Sequence, residues 1–139
     1  MGSYAAFYLA GMYPLPATKQ MLLSSPYFPK ISFFNPLFNT TTTIISHNFQ
    51  GNPTTGTGGN VFVKVSRQSR FLSEMLLTMS FNVQSVTVNG KPNKSNCFLD
   101  WDVFTSGSVV ELTLSSDITL GCGNGNDALP PSISTGGYN

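Results

Sequence analysis

The stretch GSYAAFYLAGMYPLPATKQMLLSSPYF, residues 2–28, decides the fold because it opens as a helix and continues as a strand. Its first part carries apolar groups at helical spacing, with alanines between them, at Tyr4, Phe7, Tyr8, Gly11 and Met12. Gly11 suits a helix end, and Pro14 and Pro16 prevent the helix from continuing. Nearly every side of this helix is apolar, which predicts that a larger body covers residues 1–12.

The remainder of the chain consists of short β-prone segments separated by turn signals. Asn89-Gly90 is a strong hairpin signal, and the composition of residues 50–59 indicates a flexible loop. We predict strands at residues 20–24, 30–34, 40–49, 60–64, 85–88, 97–104 and 108–115. The predicted fold class is therefore mainly β, a β-sandwich with one leading helix.

The composition argues against several classes of function. Charged residues make up only 9% of the 139 residues and the formal net charge is +1, so nothing favours nucleic acid or an anionic membrane as a partner. No apolar run approaches the roughly 20 residues that a membrane span requires. Residues 1–12 lack the basic region and the small-residue cleavage site of a signal peptide.

Cysteine and asparagine patterns indicate an extracellular protein. Cys97 and Cys122 flank the last predicted hairpin, and in a secreted protein they would pair; the alternative is two buried free thiols. Asn39 and Asn93 each begin an Asn-x-Ser/Thr acceptor pattern for N-glycosylation. Such triplets also arise by chance in sequence rich in asparagine and threonine, but both agree with the cysteines.

Residues 65–84, VSRQSRFLSEMLLTMSFNVQ, interrupt the strand pattern. They repeat apolar side chains at helical spacing, at Phe71, Leu72, Met75, Leu76 and Met79. Deleting them joins residues 60–64 to Ser85 as NVFVKSVTVN, which reads as a single strand. The hypothesis is a retained intron translated in frame, since both ends can be encoded by splice-site sequences. The alternative is a genuine helical insertion, whose exposed apolar side chains would favour aggregation.

Asp100-Trp101-Asp102 is the local pattern most suggestive of chemistry. On a strand, the two aspartates would face the same side about 6.5 Å apart, near the separation of the carboxylate pair of an inverting glycosidase. Trp101 on the other face could stack on a sugar ring. We favour a simpler interpretation, a structural strand with a core tryptophan and two solvated or hydrogen-bonded aspartates.

The other titratable residues form no recognisable site. His47 is the only histidine, and without a nearby cysteine or carboxylate it predicts a surface strand position rather than a metal ligand or a catalytic triad. Glu111 lies in an alternating strand and is expected to face solvent. The remaining acidic residues lie singly in predicted loops or in residues 65–84, at Glu74, Asp117 and Asp127.

Aromatic residues are dense around Pro26, Pro29 and Pro36. The set consists of Tyr27, Phe28, Phe33, Phe34 and Phe38. One interpretation is a carbohydrate-binding platform. The interpretation that we prefer is packing at an interface with another domain, where aromatic side chains are enriched.

Five segments of the sequence are similar to one known family. They are SYAAFYLAGMYPLPATKQMLLSSPYF, SVTVNGKP, SNCFLDWDVF, GSVVELTL and DALPPSISTGG. In this order and spacing they resemble glycoside hydrolase family 92, the calcium-dependent exo-α-mannosidases, and most closely the fungal members of the α-1,2-mannosidase type. The resemblance covers nearly the whole chain and is interrupted at residues 65–84.

The resemblance implies that residues 1–12 are the last helix of an (α/α)6 barrel and that residues 13–139 form a carboxyl-terminal β-sandwich-like module. In that family the base aspartate belongs to an Asn-Asp-Asp motif just before this helix, and the acid glutamate lies further upstream. No catalytic, cofactor-binding or metal-binding residue is therefore assigned in this chain, and calcium belongs to the parent enzyme. The implied partners are the missing amino-terminal and barrel domains and mannose-containing glycans.

The predicted function is the carboxyl-terminal part of a secreted glycoside hydrolase that releases terminal α-mannose from N-glycans or mannosides. This chain alone is predicted to be inactive, because the resemblance places both catalytic carboxylates outside it. The alternative is a stand-alone secreted module that binds carbohydrate or is purely structural. Neither hypothesis includes a nucleic-acid partner or a membrane span.

Overall fold

The computed structural model describes residues 2–16, 18–52, 54, 82–115, 117, 120–123 and 126–129. Within them the chain begins with a helix and continues with the strands of two sheets and a second, short helix. The elements in chain order are α1 (Gly2–Leu9), β1 (Met12–Pro14), β2 (Gln20–Leu23), β3 (Lys30–Asn35), β4 (Thr40–His47), β5 (Asn82–Val88), β6 (Lys91–Pro92), β7 (Phe98–Asp100), α2 (Asp102–Ser106) and β8 (Val109–Ser115). A 3-10 turn at Asn126–Ala128 lies near the end of the described residues.

The strands form a small sheet and a large sheet. In the small sheet β2 lies between β1 and β7, and both pairs are antiparallel. The large sheet has the order β3-β4-β8-β5-β6, in which β4 and β8 are parallel and all other neighbours are antiparallel. The prediction of a mainly β fold with two sheets and one leading helix is confirmed.

One apolar core joins the two sheets and both helices. Successive side chains of a strand face opposite sides of the sheet, so alternate residues of β4 and β8 point into this core. The large sheet contributes Ile44, Val83, Val86, Val110, Leu112 and Leu114. The small sheet and the helices contribute Met12, Met21, Leu99, Val103 and Phe104, with Ala10 at the end of α1.

Gly11 ends α1 and turns the chain directly onto β1, as predicted. Its φ of 77° lies in the left-handed region, and its backbone N–H donates to Tyr8 O at 3.0 Å. The turn is tightly packed, because Ser24 N donates to Gly11 O at 2.7 Å. A Cβ at Gly11 would lie 2.5 Å from Ser24 O and 2.7 Å from Pro26 N, so only glycine fits here.

The hairpin signal at Asn89-Gly90 is also confirmed. Both residues have positive φ, 52° and 75°, as the turn that best suits a right-twisted hairpin requires. The Asn89 side chain also ties the turn to the neighbouring β8, since its Oδ1 accepts the N–H of Val109 at 2.8 Å. The turn therefore fixes the register of β5 and β6 at the edge of the large sheet.

The strand predicted at residues 97–104 is wrong in its second half. β7 ends at Asp100, and residues 102–106 form α2, which ends at the left-handed Gly107 (φ 70°). The last carbonyls of a helix have no partner within it, and here the β3–β4 hairpin supplies donors for them. Thr40 Oγ1 donates to Thr105 O at 3.3 Å, and Asn35 Nδ2 donates to Phe104 O at 3.4 Å. Thr42 Oγ1 donates at 2.8 Å to Val103 O, which also accepts backbone N–H groups at the end of the helix.

Most of residues 65–84 lies outside the described residues, as does the strand predicted at residues 60–64. The last three residues of the segment, however, belong to β5. Val83 pairs with Leu114 and is buried, and an irregularity in the register separates Val83 from Ser85. The end of the segment therefore supplies part of the core, and the strand predicted from Ser85 begins three residues earlier.

Two glycine substitutions distinguish a steric clash at the α1 turn from the strain of a left-handed backbone alone. Gly11→Ala is expected to lower the free energy of unfolding by about 2–4 kcal/mol, because left-handed strain and a backbone clash add. Gly90 has nearly the same φ but nothing within 4 Å of a new Cβ, so Gly90→Ala is expected to cost about 1 kcal/mol. Urea unfolding measures both; equal losses would contradict the packing described for the α1 turn.

Deleting residues 65–84 tests whether that segment is needed for β5. The shortened chain would place Val63 where Val83 now pairs with Leu114, and Lys64 where the exposed Gln84 lies. We expect this variant to unfold cooperatively with no loss of stability.

The control deletion removes residues 65–83 and is one residue shorter. It would place Lys64 at the buried position of Val83, because a slip of one residue exchanges the two faces of a strand. Circular dichroism with urea is expected to show a folded first variant and a strongly destabilised control. Equal stability of the two deletions would contradict the proposed equivalence of Val63 and Val83.

Candidate functional site

The structure separates the two aspartates of Asp100-Trp101-Asp102 into different elements. Asp100 ends β7, Trp101 lies in the helical region (φ −58°, ψ −23°), and Asp102 is the first residue of α2. The two carboxylates are therefore not alternate residues of one strand, and the spacing argued for an inverting pair does not apply. Both aspartates are exposed, and the Lys94 Nζ lies 3.8 Å from Asp100 Oδ2.

Four aromatic rings join α1, β3 and α2 in what we call the ring cluster, Phe7, Phe33, Trp101 and Phe104. The ring centroids of Trp101 and Phe104 are 5.3 Å apart, and those of Phe33 and Phe104 are 5.8 Å apart. Phe7 of α1 lies 6.2 Å from each of the other three. Such tilted and edge-on pairs are favourable geometries for aromatic side chains. Trp101 is 39% exposed rather than in the core, so one part of the cluster reaches water.

The side of α1 that points away from the ring cluster is apolar and uncovered. Ala5, Ala6, Tyr8 and Leu9 are all exposed, whereas Phe7 is half-buried and Ala10 is fully buried. Together with the exposed Tyr13 of β1, Tyr8 and Leu9 form a surface that we call the α1 face. Exposed apolar patches are frequent at surfaces that contact another protein or domain.

Tyr27 contacts Tyr8 at one edge of the α1 face. The Tyr8 and Tyr27 hydroxyl oxygens are 3.3 Å apart and the ring centroids 5.6 Å apart. The hydrogen bond with Tyr8 raises the pKa of Tyr27 above its ordinary value, and burial and the neighbouring phenol raise it further. Tyr27 therefore remains a protonated phenol at physiological pH.

The five aromatics grouped in the sequence lie in different places. Phe33 packs inward in the ring cluster, Tyr27 contacts Tyr8, and Phe28 is half-buried. Phe34 is 63% exposed because β3 directs alternate residues to opposite faces, and Phe38 is 52% exposed in the turn after β3. Because Phe33 packs inward while Phe34 faces the opposite side of β3, the five aromatic side chains do not share one surface.

A polar pair that the sequence analysis missed lies on the outer face of the large sheet. His47 Nε2 is 3.4 Å from Glu111 Oε1, and Thr87 Oγ1 donates to Glu111 Oε2 at 3.2 Å. His47 is exposed as predicted, but the expectation that it lacks a carboxylate neighbour is wrong. The parallel pairing of β4 with β8 brings the two side chains together, and no local signal reveals that pairing.

The remaining candidate residues form no metal site in the part of the chain that the structure describes, where no three His, Cys, Asp or Glu side chains cluster. Asp127 is exposed in the 3-10 turn, and Asp117 is exposed beyond β8. Glu74 lies outside the described residues. A calcium ion takes six to eight oxygen ligands, so the described residues do not fit such a site.

Cys97 and Cys122 are joined by a disulfide with their Cα atoms 5.0 Å apart. The bond attaches the residues after β8 to the loop before β7. Asn96 N donates to Cys122 O at 2.8 Å, and Ser95 Oγ donates to Ala128 O at 2.7 Å. Ser95 and Ala128 are each 1% exposed, so this attachment is buried.

The comparison with protein families gives one match. The model described as the glycosyl hydrolase family 92 catalytic domain matches residues 1–116. No curated protein matches the sequence. Among the described residues no helix has the length and apolarity to cross a membrane.

Two solved structures share the fold. The family GH92 alpha-mannosidase BT3965 from Bacteroides thetaiotaomicron is 19% identical with a TM-score of 0.60, covering 92% of this chain and 14% of that chain. The family GH92 inverting mannosidase BT2199 from Bacteroides thetaiotaomicron VPI-5482 is 16% identical with a TM-score of 0.62, covering 95% of this chain and 14% of that chain. This chain therefore spans about one seventh of the length of either relative.

Proposed function

Because the chain belongs to glycosyl hydrolase family 92, we propose that it forms the carboxyl-terminal part of an enzyme that releases terminal α-mannose from N-glycans or related mannosides. The family match over residues 1–116 carries this proposal. The similar fold of two mannosidases supports it, since this chain corresponds to 14% of each. The parent enzyme would be a fungal member of the α-1,2 type, as the sequence segments suggest.

Hydrolysis of a mannoside with inversion at the anomeric carbon needs two carboxyl groups, one as the acid and one as the base that activates a water molecule. We assign neither role to this chain. Glu111 is engaged by His47 and Thr87, and Asp100 lies near Lys94. The two catalytic carboxylates, and the calcium of the parent enzyme, would belong to its other domains.

The role proposed for this chain is to complete the fold of the parent enzyme. The α1 face is its docking surface, because Tyr8, Leu9 and Tyr13 are exposed at 60%, 37% and 53%. The helix would be the last of a helical barrel, with Phe7 attaching it to the β module on its other side. The disulfide supports a secreted parent, since such bonds persist in oxidising compartments.

A second candidate is a free carbohydrate-binding module, and one observation favours it. Trp101 is 39% exposed at the border of the ring cluster, where an aromatic face can stack on a sugar. In the fragment proposal Trp101 instead belongs to the ring cluster that attaches α1 to the β module. The two candidates differ in whether the isolated chain binds mannan saturably.

One assay on the oxidised 139-residue chain tests the leading proposal. With an aryl α-mannoside or a mannobiose and added calcium, we expect no turnover above buffer, while a family 92 mannosidase serves as the positive control. Turnover by this chain that survives further purification would contradict the proposal.

Measuring mannan binding by the same preparation distinguishes the fragment proposal from the carbohydrate-binding module. The fragment proposal predicts no saturable binding and no difference between the natural chain and Trp101→Ala. Saturable binding that Trp101→Ala abolishes, with the fold retained by circular dichroism, would establish the binding module instead.

A further inference from the structure

The asparagines of the two N-glycosylation acceptor patterns differ in burial and in hydrogen bonding. Asn93 is half-buried, and both protons of its side-chain amide are used inside the protein. Nδ2 donates to Ser95 O at 2.7 Å and to Phe98 O at 3.1 Å. A glycan replaces one of these protons by a carbon atom and adds a bulky group, so a sugar at Asn93 would break at least one of these two hydrogen bonds.

The hydroxyl that completes the second pattern is enclosed as well. Ser95 is 1% exposed, and its Oγ donates to Ala128 O at 2.7 Å and accepts from Cys97 N at 3.0 Å. Cys97 in turn is held by its disulfide to Cys122. The two residues that define this pattern, Asn93 and Ser95, are therefore both held by hydrogen bonds within the fold.

Asn39 has none of these constraints. It is exposed in the turn between β3 and β4, with φ of 51°, and within the described part of the chain no hydrogen bond involves its side chain. The shape of the turn is held instead by Asn35, whose Oδ1 accepts from Leu37 N at 3.1 Å. Thr41, which completes this pattern, is exposed on the outer side of β4.

We propose that Asn39, and not Asn93, carries an N-linked glycan in the folded protein, an inference that rests on the proposed secretion of the parent enzyme. The donor is an oligosaccharide linked to a lipid diphosphate. The Nδ2 atom of Asn39 forms a bond to C1 of the sugar and loses one proton, and the lipid diphosphate leaves from C1.

A glycan at this turn would also cover an apolar tip. Leu37 and Phe38 precede Asn39 and are 83% and 52% exposed. Exposed apolar side chains favour association, and a hydrophilic glycan beside them would limit it. The tip would then face solvent in the parent enzyme, and the α1 face would be the surface that docks.

Secretion of the 139-residue chain behind a signal peptide from yeast cells tests the proposal. The disulfide-bonded monomer is isolated, and both acceptor sites are read by peptide mass spectrometry after enzymatic deglycosylation in heavy-oxygen water. We expect occupancy at Asn39 to exceed that at Asn93 by about tenfold or more, because the Asn93 amide is committed in the fold. Equal occupancy in the folded monomer, or an unmodified Asn39, would overturn the proposal.

Two variants of the chain made without glycans test the same assignment independently of secretion. Asn93→Asp places a carboxylate against two carbonyl oxygens and is expected to lower the Tm by about 5–10 °C or to prevent folding. The matched control Asn39→Asp is expected to leave the Tm unchanged. Similar Tm values for both variants would contradict the structural role given to the hydrogen bonds of the Asn93 amide. Neither experiment measures mannoside turnover, so failure here is distinct from failure of the proposed function.

Discussion

Hydrogen bonds from the β3–β4 hairpin to the last carbonyl oxygens of α2 are the contact on which the structure depends. Thr42 is 1% exposed, and its hydroxyl reaches Val103 O at 2.8 Å across 61 positions of sequence. Val103 O also accepts the backbone N–H groups of Gly107 and Ser108. The next two carbonyls of α2 accept from Thr40 and Asn35, so side chains of the hairpin hold the end of α2 on the large sheet. With α2 fixed on β4, the chain turns at Gly107 and β8 runs parallel to β4.

The same helix connects the β module to α1. α2 contains Phe104, and Trp101 immediately precedes this helix. Both rings contact Phe7 of α1. α1 is thereby attached on one side only, and its other side exposes Tyr8 and Leu9 to water. An apolar helix covered on one side is the arrangement expected where two parts of a larger protein meet, which agrees with the proposal that this chain completes a family 92 enzyme.

Local chemistry made part of this structure predictable. Gly11 and Asn89-Gly90 hold the conformations that their sequence indicated, because turns depend on residues close in the chain. α2 was missed, since its last carbonyls accept from Thr40 and Asn35, and tertiary partners of this kind leave no periodic signal. The His47–Glu111 pair was missed for the same reason: it requires the parallel pairing of β4 and β8. The different burial of Asn39 and Asn93 likewise follows from tertiary contacts and not from their identical sequence patterns.

The proposed role of this chain requires that the α1 face is covered in the complete enzyme. Cysteine labelling measures this directly, with Leu9→Cys on the α1 face and Leu37→Cys at the β3–β4 turn as control. Both positions are exposed in the isolated chain and are expected to label rapidly there. In a complete family 92 mannosidase carrying this chain, we predict that labelling at position 9 becomes much slower while labelling at position 37 is unchanged. Equally fast labelling at position 9 in the complete enzyme would contradict the account.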